Sequence, residues 1–444
     1  MLLPSELQSF IHGTTLDDLP DDVVAMGRRC LLDLIGVAAS GSRTDLSRLI
    51  RGHAVDHFAA GGAGAPLLLD GRIVSPAGAA LAGGMTIDSL DAHDGHRLTK
   101  GHAGCGLLPA LMAYTSAEGV ADGGEFLATL IVGYEVATRA GIVLHETVPD
   151  YHTSGAWIAV ACAAIGARVL GLDPAVTAEA VGIAEYHGPR SQMMRVIDHP
   201  TMLKDGSGWG AMAGVSAAYL ARDGFTGAPA ITMTAPEVHD RWADLGSTWW
   251  ILDQYFKPHP VCRWAQPAVQ ATLQLRAANG FDGADVAGIV VETFHEGARL
   301  TTRHPKSTEQ AQYSLPFPVA VALHAGRLGP GELGPTMLAD PAVAKLADLV
   351  EICENDDHNA AFPGKRWARV SIDLTDGRRL ESPDTEASGD PHLALTDQQV
   401  RAKFHDYADP VLGAERAASI ESVVDALEAG SYINEFLELV LSAP

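Results

Sequence analysis

Cysteine is scarce in this chain. Five occur in 444 residues, odd in number and scattered at Cys30, Cys105, Cys162, Cys262 and Cys353. None form a Cys-x-x-Cys pair, which argues against a disulfide framework, an iron–sulfur cluster or a zinc site. Basic residues are outnumbered, 31 against 55 acidic ones, for a formal net charge of −24. A surface of that sign repels phosphates, so nucleic acid is not expected as a partner. No apolar run approaches the roughly 20 residues that span a bilayer, so no membrane partner is expected either. The start, Met-Leu-Leu-Pro-Ser-Glu-Leu, lacks the basic residues and long apolar core of a signal peptide, which predicts a cytoplasmic protein. Gly-x-Gly-x-x-Gly after a strand, a P-loop and a Gly-x-Ser-x-Gly elbow are all missing, which removes support for nucleotide binding and hydrolase chemistry. There is no internal repeat and no low-complexity tract.

The composition that remains, 47% hydrophobic and 19% charged, describes a well-packed globular chain. Its length suggests two domains. Apolar spacing and start signals predict helices over Val23–Ala39, Ser75–Met85, Leu107–Glu118, Gly123–His145, Ser154–Leu170, from Pro174 to about Glu185, and Gly208–Arg222. A hairpin-like piece precedes Ser75. The pattern changes near Asp285. Val286–Thr293 alternates like a strand, and Trp367–Leu374 with Arg379–Glu381 reads as a hairpin around Asp376-Gly377, while Asp340–Asn355 reads as helix. From Thr396 the chain returns to helix, with Ser419–Leu441 amphipathic. The expectation is a mostly α protein: a large all-helical domain (1–265 plus 396–444) with an inserted smaller α+β lid domain (266–395).

Polar residues concentrate where that pattern breaks. Between two Ala/Leu-rich segments, Gly84–Pro109 packs Asp88, Asp91, Asp94, His93, His96, His102 and Lys100 among glycines. Short titratable groups interleaved with glycine let backbone and ligand approach closely; the bland alternative is a loop with Asp88 or Asp94 as a helix N-cap. His152 lies just before a helix start, with Thr153 and Ser154 as expected caps, a place that favours an anion. A structural histidine bonded to a carbonyl is the alternative. Arg190, Arg195 and Lys204 stand in a Gly/Pro-punctuated connection, Lys204 at the mouth of a small-residue helix; solvated surface cations are the usual reading of such residues. In Lys257-Pro-His-Pro-Val-Cys-Arg263, Pro258 and Pro260 hold the chain extended and fix the directions of Lys257, His259 and Arg263.

His93, His96 and His102 could ligate a metal with Asp91 or Asp94, but their spacing is no standard ligand pattern, and no metal or cofactor is expected. A metal-free set of histidines, aspartates, lysines and arginines suits acid–base work on a small anionic polycarboxylate. Removing a proton alpha to a carboxylate needs a positioned base and cations that stabilise the enediolate-like charge.

In order along nearly the whole chain, these segments resemble the MmgE/PrpD family. Its motifs are similar to Leu31-Leu-Asp-Leu-Ile-Gly36, Asp88-Ser-Leu-Asp-Ala-His-Asp-Gly-His96, His102-Ala-Gly, Tyr151-His-Thr-Ser-Gly155, Met202-Leu-Lys204 through Gly227, Lys257–Arg263 and Tyr313-Ser-Leu-Pro-Phe317. The resemblance implies a large helical domain, a smaller α+β lid, a homodimer and a cofactor-free site in the cleft. It implies functional roles for Asp91, His102, His152, Lys204 and Lys257. His93, Asp94, His96, Arg190, Arg195, His259, Arg263, Tyr313 and Phe317 are expected to contact substrate. Departures fall at His93, where the family usually has Asp, at Gly95, where it has Thr, at Asp88, where it has His, and at Phe317, often Tyr. The expected activity is dehydration of a 2-methylcitrate-like hydroxy acid, with His102 and His152 exchanging protons on opposite sides of the substrate. Epimerisation of an iminodisuccinate-like acid comes second and cis-aconitate-type decarboxylation third. A polycarboxylate-binding protein without chemistry is the reading from another class.

Overall fold

Segments rich in Ala and Gly, with few interruptions, form the long helices that their apolar spacing predicts. In the computed structural model, which describes residues 2–444, they run Asp21–Gly41, Pro76–Asp88, Gly104–Glu118, Gly123–Thr147, Gly155–Val169, Pro174–His187 and Ser207–Arg222. Their starts are specified locally. Pro76 and Pro174 occupy the first turn, where a missing N–H costs nothing, behind Ser75 and Asp173, whose side chains accept backbone N–H groups.

The Ser207–Arg222 helix packs against Gly155–Val169, Pro76–Asp88 and Pro174–His187. Where it meets Pro76–Asp88 the backbones touch: a Cβ on Gly84 would stand 2.6 Å from the Gly208 Cα. Only glycine tolerates that approach. It delivers Asp88, the last residue of its helix, to 3.4 Å from the Ser207 N–H, which donates to it. Gly123–Thr147 is longer and more apolar than the sequence reading allowed, enough by length and composition to cross a membrane, yet its apolar window is wholly buried among the other helices. Inside it Arg139 pairs with Glu135 and Asp244.

Beyond Val261 the architecture changes. Val286–Thr293, Trp367–Leu374 and Arg379–Glu381 are strands, as expected. The expected helix over Asp340–Asn355 is a correction: the helix covers only Pro341–Asp348, and Val350–Glu354 is an edge strand running parallel to Val286–Thr293. Val350 and Ile352 suit a pleat, and a partner strand some 60 residues away decides the matter. The sheet order is Val350–Glu354, Val286–Thr293, Trp367–Leu374, Arg379–Glu381, with Thr385–Glu386 also pairing the third of these. This region has a hydrophobic core of its own, drawn from Val261 to Leu374 together with Val196 and Ile197. The chain then returns to the first core: Asp397–Leu412 packs on Asp21–Gly41, and Lys403 reaches Asp33 at 2.6 Å and the Ala92 carbonyl at 2.6 Å. The expected continuous helix over Ser419–Leu441 is also divided, into Ala414–Asp425 and Asn434–Leu441, with Gly430 at φ 80° between them. The protein is mostly α.

Candidate active site

Asp88 ends a helix instead of capping one. From it the chain turns through Asp91 and His93 to Gly95–His96, which pairs antiparallel with Gln254–Tyr255. That short pairing sets Lys257 beside the turn, and its ammonium forms an ion pair with Asp91 in which both groups are buried. His102, just ahead of the Gly104–Glu118 helix, completes the centre.

The His102 ring is oriented from behind. Its Nδ1 stands 2.6 Å from the Asp94 carbonyl, an acceptor only, so Nδ1 carries the proton and donates it there. Nε2 is left with the lone pair and stands 3.8 Å from Asp91 Oδ1 and 3.9 Å from Asp205 Oδ2. The His93 ring meets it edge-on at 4.3 Å. Burial, followed by the Lys257 and His93 charges, holds His102 well below the ordinary imidazole range, so it is a neutral base. Ser154 does not cap its helix as expected. Its hydroxyl accepts the His102 backbone N–H at 2.9 Å and donates to Asp205 Oδ2 at 2.8 Å.

The two aspartates beside Nε2 have opposite character. Burial alone would raise Asp91, but the Lys257 and Lys204 ammoniums outweigh it and keep the carboxyl well below the usual range. Asp205 is pushed up to about 7, by burial first and then by the Asp88 charge, against the opposing Ser154 hydrogen bond. Lys204 sits in the left-handed region at φ 49° and donates to Gln312 Oε1 at 2.7 Å, an oxygen that also accepts the Asp91 N–H at 2.7 Å. Gln312 thus ties the lysine to the turn.

Gly95, a departure from the family motif, has a structural reason. A Cβ there would stand 2.6 Å from the Tyr255 hydroxyl and 2.7 Å from His102 Nδ1. Tyr255 fills the space a threonine would need. Asp91, His93 and His102 offer ligand atoms within 4.8 Å of one another. A cation there would have to displace the Lys257 ammonium from Asp91, with Lys204 close by, so this donor set is already matched to buried ammonium.

Of the expected residues, Asp91, His93, His102, Lys204, Lys257 and Tyr313 come together; Tyr313 lines the cavity, with the Lys204 ammonium 4.8 Å from its ring centre. Asp94 contributes its carbonyl, while its carboxyl faces away toward Asp33 and is raised to about 7 by burial and by that neighbour's charge. Arg263 borders the cavity with its guanidinium committed to Asp390 and the carbonyls of Ala387 and Ser388. His259 is bonded through Nδ1 to the Leu328 carbonyl, and Phe317 lies in the second hydrophobic core. His96 lines a different cavity with Trp250, and Arg190 another beside Trp157. Arg195 borders a cavity of about 320 Å³ that shares Lys204 with the site. His152 is half-buried, with its ring stacked on His145 at 6.4 Å and its Nδ1 3.0 Å from the Asp150 carbonyl. Asp205, Gln312, Tyr255 and Arg366 were not singled out by the sequence reading. Only Asp205 left a signal, as a short acid directly after Lys204 and before glycine.

The cavity between these groups measures about 30 Å³.

Comparison with known proteins places both parts of the chain in one family. The MmgE/PrpD N-terminal domain matches residues 5–238 and the MmgE/PrpD C-terminal domain matches residues 259–429. The chain is 25% identical to the cis-aconitate decarboxylase-like protein oryM of Aspergillus oryzae, over 98% of this chain and 96% of that protein. It is 24% identical to the cis-aconitate decarboxylases of Mus musculus and Homo sapiens, over 96% of this chain and 92% and 93% of theirs. With both domains matched in sequence order across the turn, the lysines and the sheet, the chain belongs to the MmgE/PrpD family.

Proposed function

We propose that this protein is a cofactor-free lyase that dehydrates a small hydroxy-polycarboxylate by alpha-proton abstraction. The observation that carries this reading is the His102 imidazole, held neutral with its Nε2 lone pair facing the cavity, 3.9 Å from a carboxyl that keeps its proton up to about pH 7. A base and an acid side by side are what such an elimination requires. His102 Nε2 takes the alpha proton. The electron pair moves onto the adjacent carboxylate, where Lys204 and Lys257 balance the charge. The double bond then forms as Asp205 gives its proton to the departing hydroxyl, which leaves as water. Transfer of the abstracted proton from His102 to Asp205 resets the pair. Asp205, and not His152, is the second proton carrier in this scheme.

The relatives favour a second reading, decarboxylation of a cis-aconitate-like acid. There carbon dioxide leaves, its bonding electrons shift along the allylic system, and the Asp205 proton is delivered to carbon.

Incubation in deuterated water with 2-methylcitrate, citrate and cis-aconitate, followed by proton NMR, tests the proposal. Loss of an alpha-proton signal is expected, with a new vinyl signal from citrate and a methyl signal shifted to an allylic position from 2-methylcitrate, whose alkene carries no vinyl proton. An alkene product with carbon dioxide release selects decarboxylation; deuterium exchange without an alkene product selects epimerisation and removes the lyase reading.

A further inference from the structure

Four arginines are buried among the described residues: Arg139, Arg168, Arg263 and Arg366. The first three each meet a carboxylate, at Asp244 and Glu135, at Glu125 and at Asp390. Arg366 meets none. It is 4% exposed, its Nε and Nη1 have no hydrogen-bond partner, and its Nη2 reaches only the Arg97 carbonyl at 3.4 Å. A buried guanidinium without a counter-ion is expensive, and such groups persist where an anion completes them.

Its position says which anion. Arg366 enters from the start of the Trp367–Leu374 strand and lines the same cavity as Asp91, His102 and Lys257, with its guanidinium carbon 5.5 Å from the Tyr255 ring centre. Lys100 lines that cavity too, in the left-handed region at φ 51°, with its ammonium 4.1 Å from the Tyr151 ring centre. Burial and then the Arg366 charge pull Lys100 below the usual ammonium range, so the two cations feel each other across the cavity. The local carboxylates offset them only at a distance: the Asp390 charge supports Arg366 and Glu296 supports Lys100, but Asp390 is ion-paired with Arg263 and Asp91 with Lys257, and no carboxylate bonds to the Arg366 guanidinium.

We propose that Arg366, with Lys100 beside it, binds a carboxylate of the substrate that takes no part in bond breaking, which makes the substrate a tricarboxylate or a dicarboxylate with widely separated acid groups. The planar guanidinium matches a carboxylate through two parallel N–H bonds. The inference rests on the polycarboxylate reading above. It adds that the anchor comes from the sheet-bearing region, so both parts of the chain build the site.

The test is calorimetric titration of the full chain with tricarballylate, which carries three carboxylates and no leaving group. Arg366→Gln is expected to weaken binding at least about 30-fold relative to the unaltered protein. Arg366→Lys, and Arg366→Ala supplied with millimolar guanidinium ion, are expected to recover part of that loss. A purely structural arginine would lower the unfolding temperature without recovery by free guanidinium, and that result overturns the anchor. Wild-type affinity in Arg366→Gln overturns it as well, while leaving the polycarboxylate reading in place. An unaltered protein that binds neither tricarballylate nor cis-aconitate removes that reading and the anchor together.

Discussion

Beside His102 Nε2, Asp91 is pinned by Lys257 and tied through Gln312 to Lys204, while Asp205 has a hydrogen bond from Ser154 and faces the Asp88 and Asp91 charges, with Lys257 the weaker opposing influence. Both carboxyls are buried and both stand just under 4 Å from the same nitrogen. One is a permanent anion and the other keeps its proton to about pH 7. Depth of burial is shared, so it does not separate them. The sign of the nearest charges does. One imidazole nitrogen thereby has both a fixed anion and a proton store within 4 Å.

Removing the ring beside the two carboxyls has the largest expected effect. His102→Gln is expected to lower kcat by about 10³-fold, since the base and its partner act as a pair; full activity in a steady-state assay would take His102 out of the mechanism. Lys257→Met breaks the contrast from the anionic side. Asp91 loses its strongest cation and its carboxyl rises toward protonation. Urea denaturation is expected to show a loss of about 3–5 kcal/mol, the usual result of stranding one member of a buried ion pair. Adding Asp91→Asn to the same protein should restore much of it. No recovery in the double variant would mean that packing of the lysine stem, and not its charge, carries the stability.

How far these residues were legible in the sequence follows from distance along the chain. The Asp88–His102 turn could be recognised because its titratable groups are neighbours in sequence. The helices from Asp21 to Arg222 could be read from local spacing and caps, with ends moved by a few residues. Val350–Glu354 could not, because a helix precedes it directly and its partner strand lies elsewhere in the chain. Gln312 and Arg366 are ordinary polar residues until folding sets them beside a turn more than 200 residues earlier. Arg263 misled in the other direction: the prolines before it fixed its approach, but Asp390, 127 positions later, claims its charge.

Asp205→Asn sharpens the comparison from the proton-storing side, with a smaller loss of about 10²-fold in kcat/KM. The sign of the pH dependence is fixed by the role. An acid works in its protonated form, so kcat/KM should hold below about pH 7 and fall above it, and this alkaline limb should vanish in Asp205→Asn. His152→Ala is expected to cost less in the same assay and to keep the limb. A wild-type profile that instead rises through pH 7 would make Asp205 a base and reverse the assignment.

The cavity is walled by both parts of the chain: Asp91, His102 and Asp205 come from the helical part, Trp264, Tyr313 and Arg366 from the sheet-bearing one. Any relative motion of the two parts therefore reshapes the site itself. If turnover waits on such a motion, its rate falls as the viscosity of the medium rises, a dependence that chemistry at an open surface would not show.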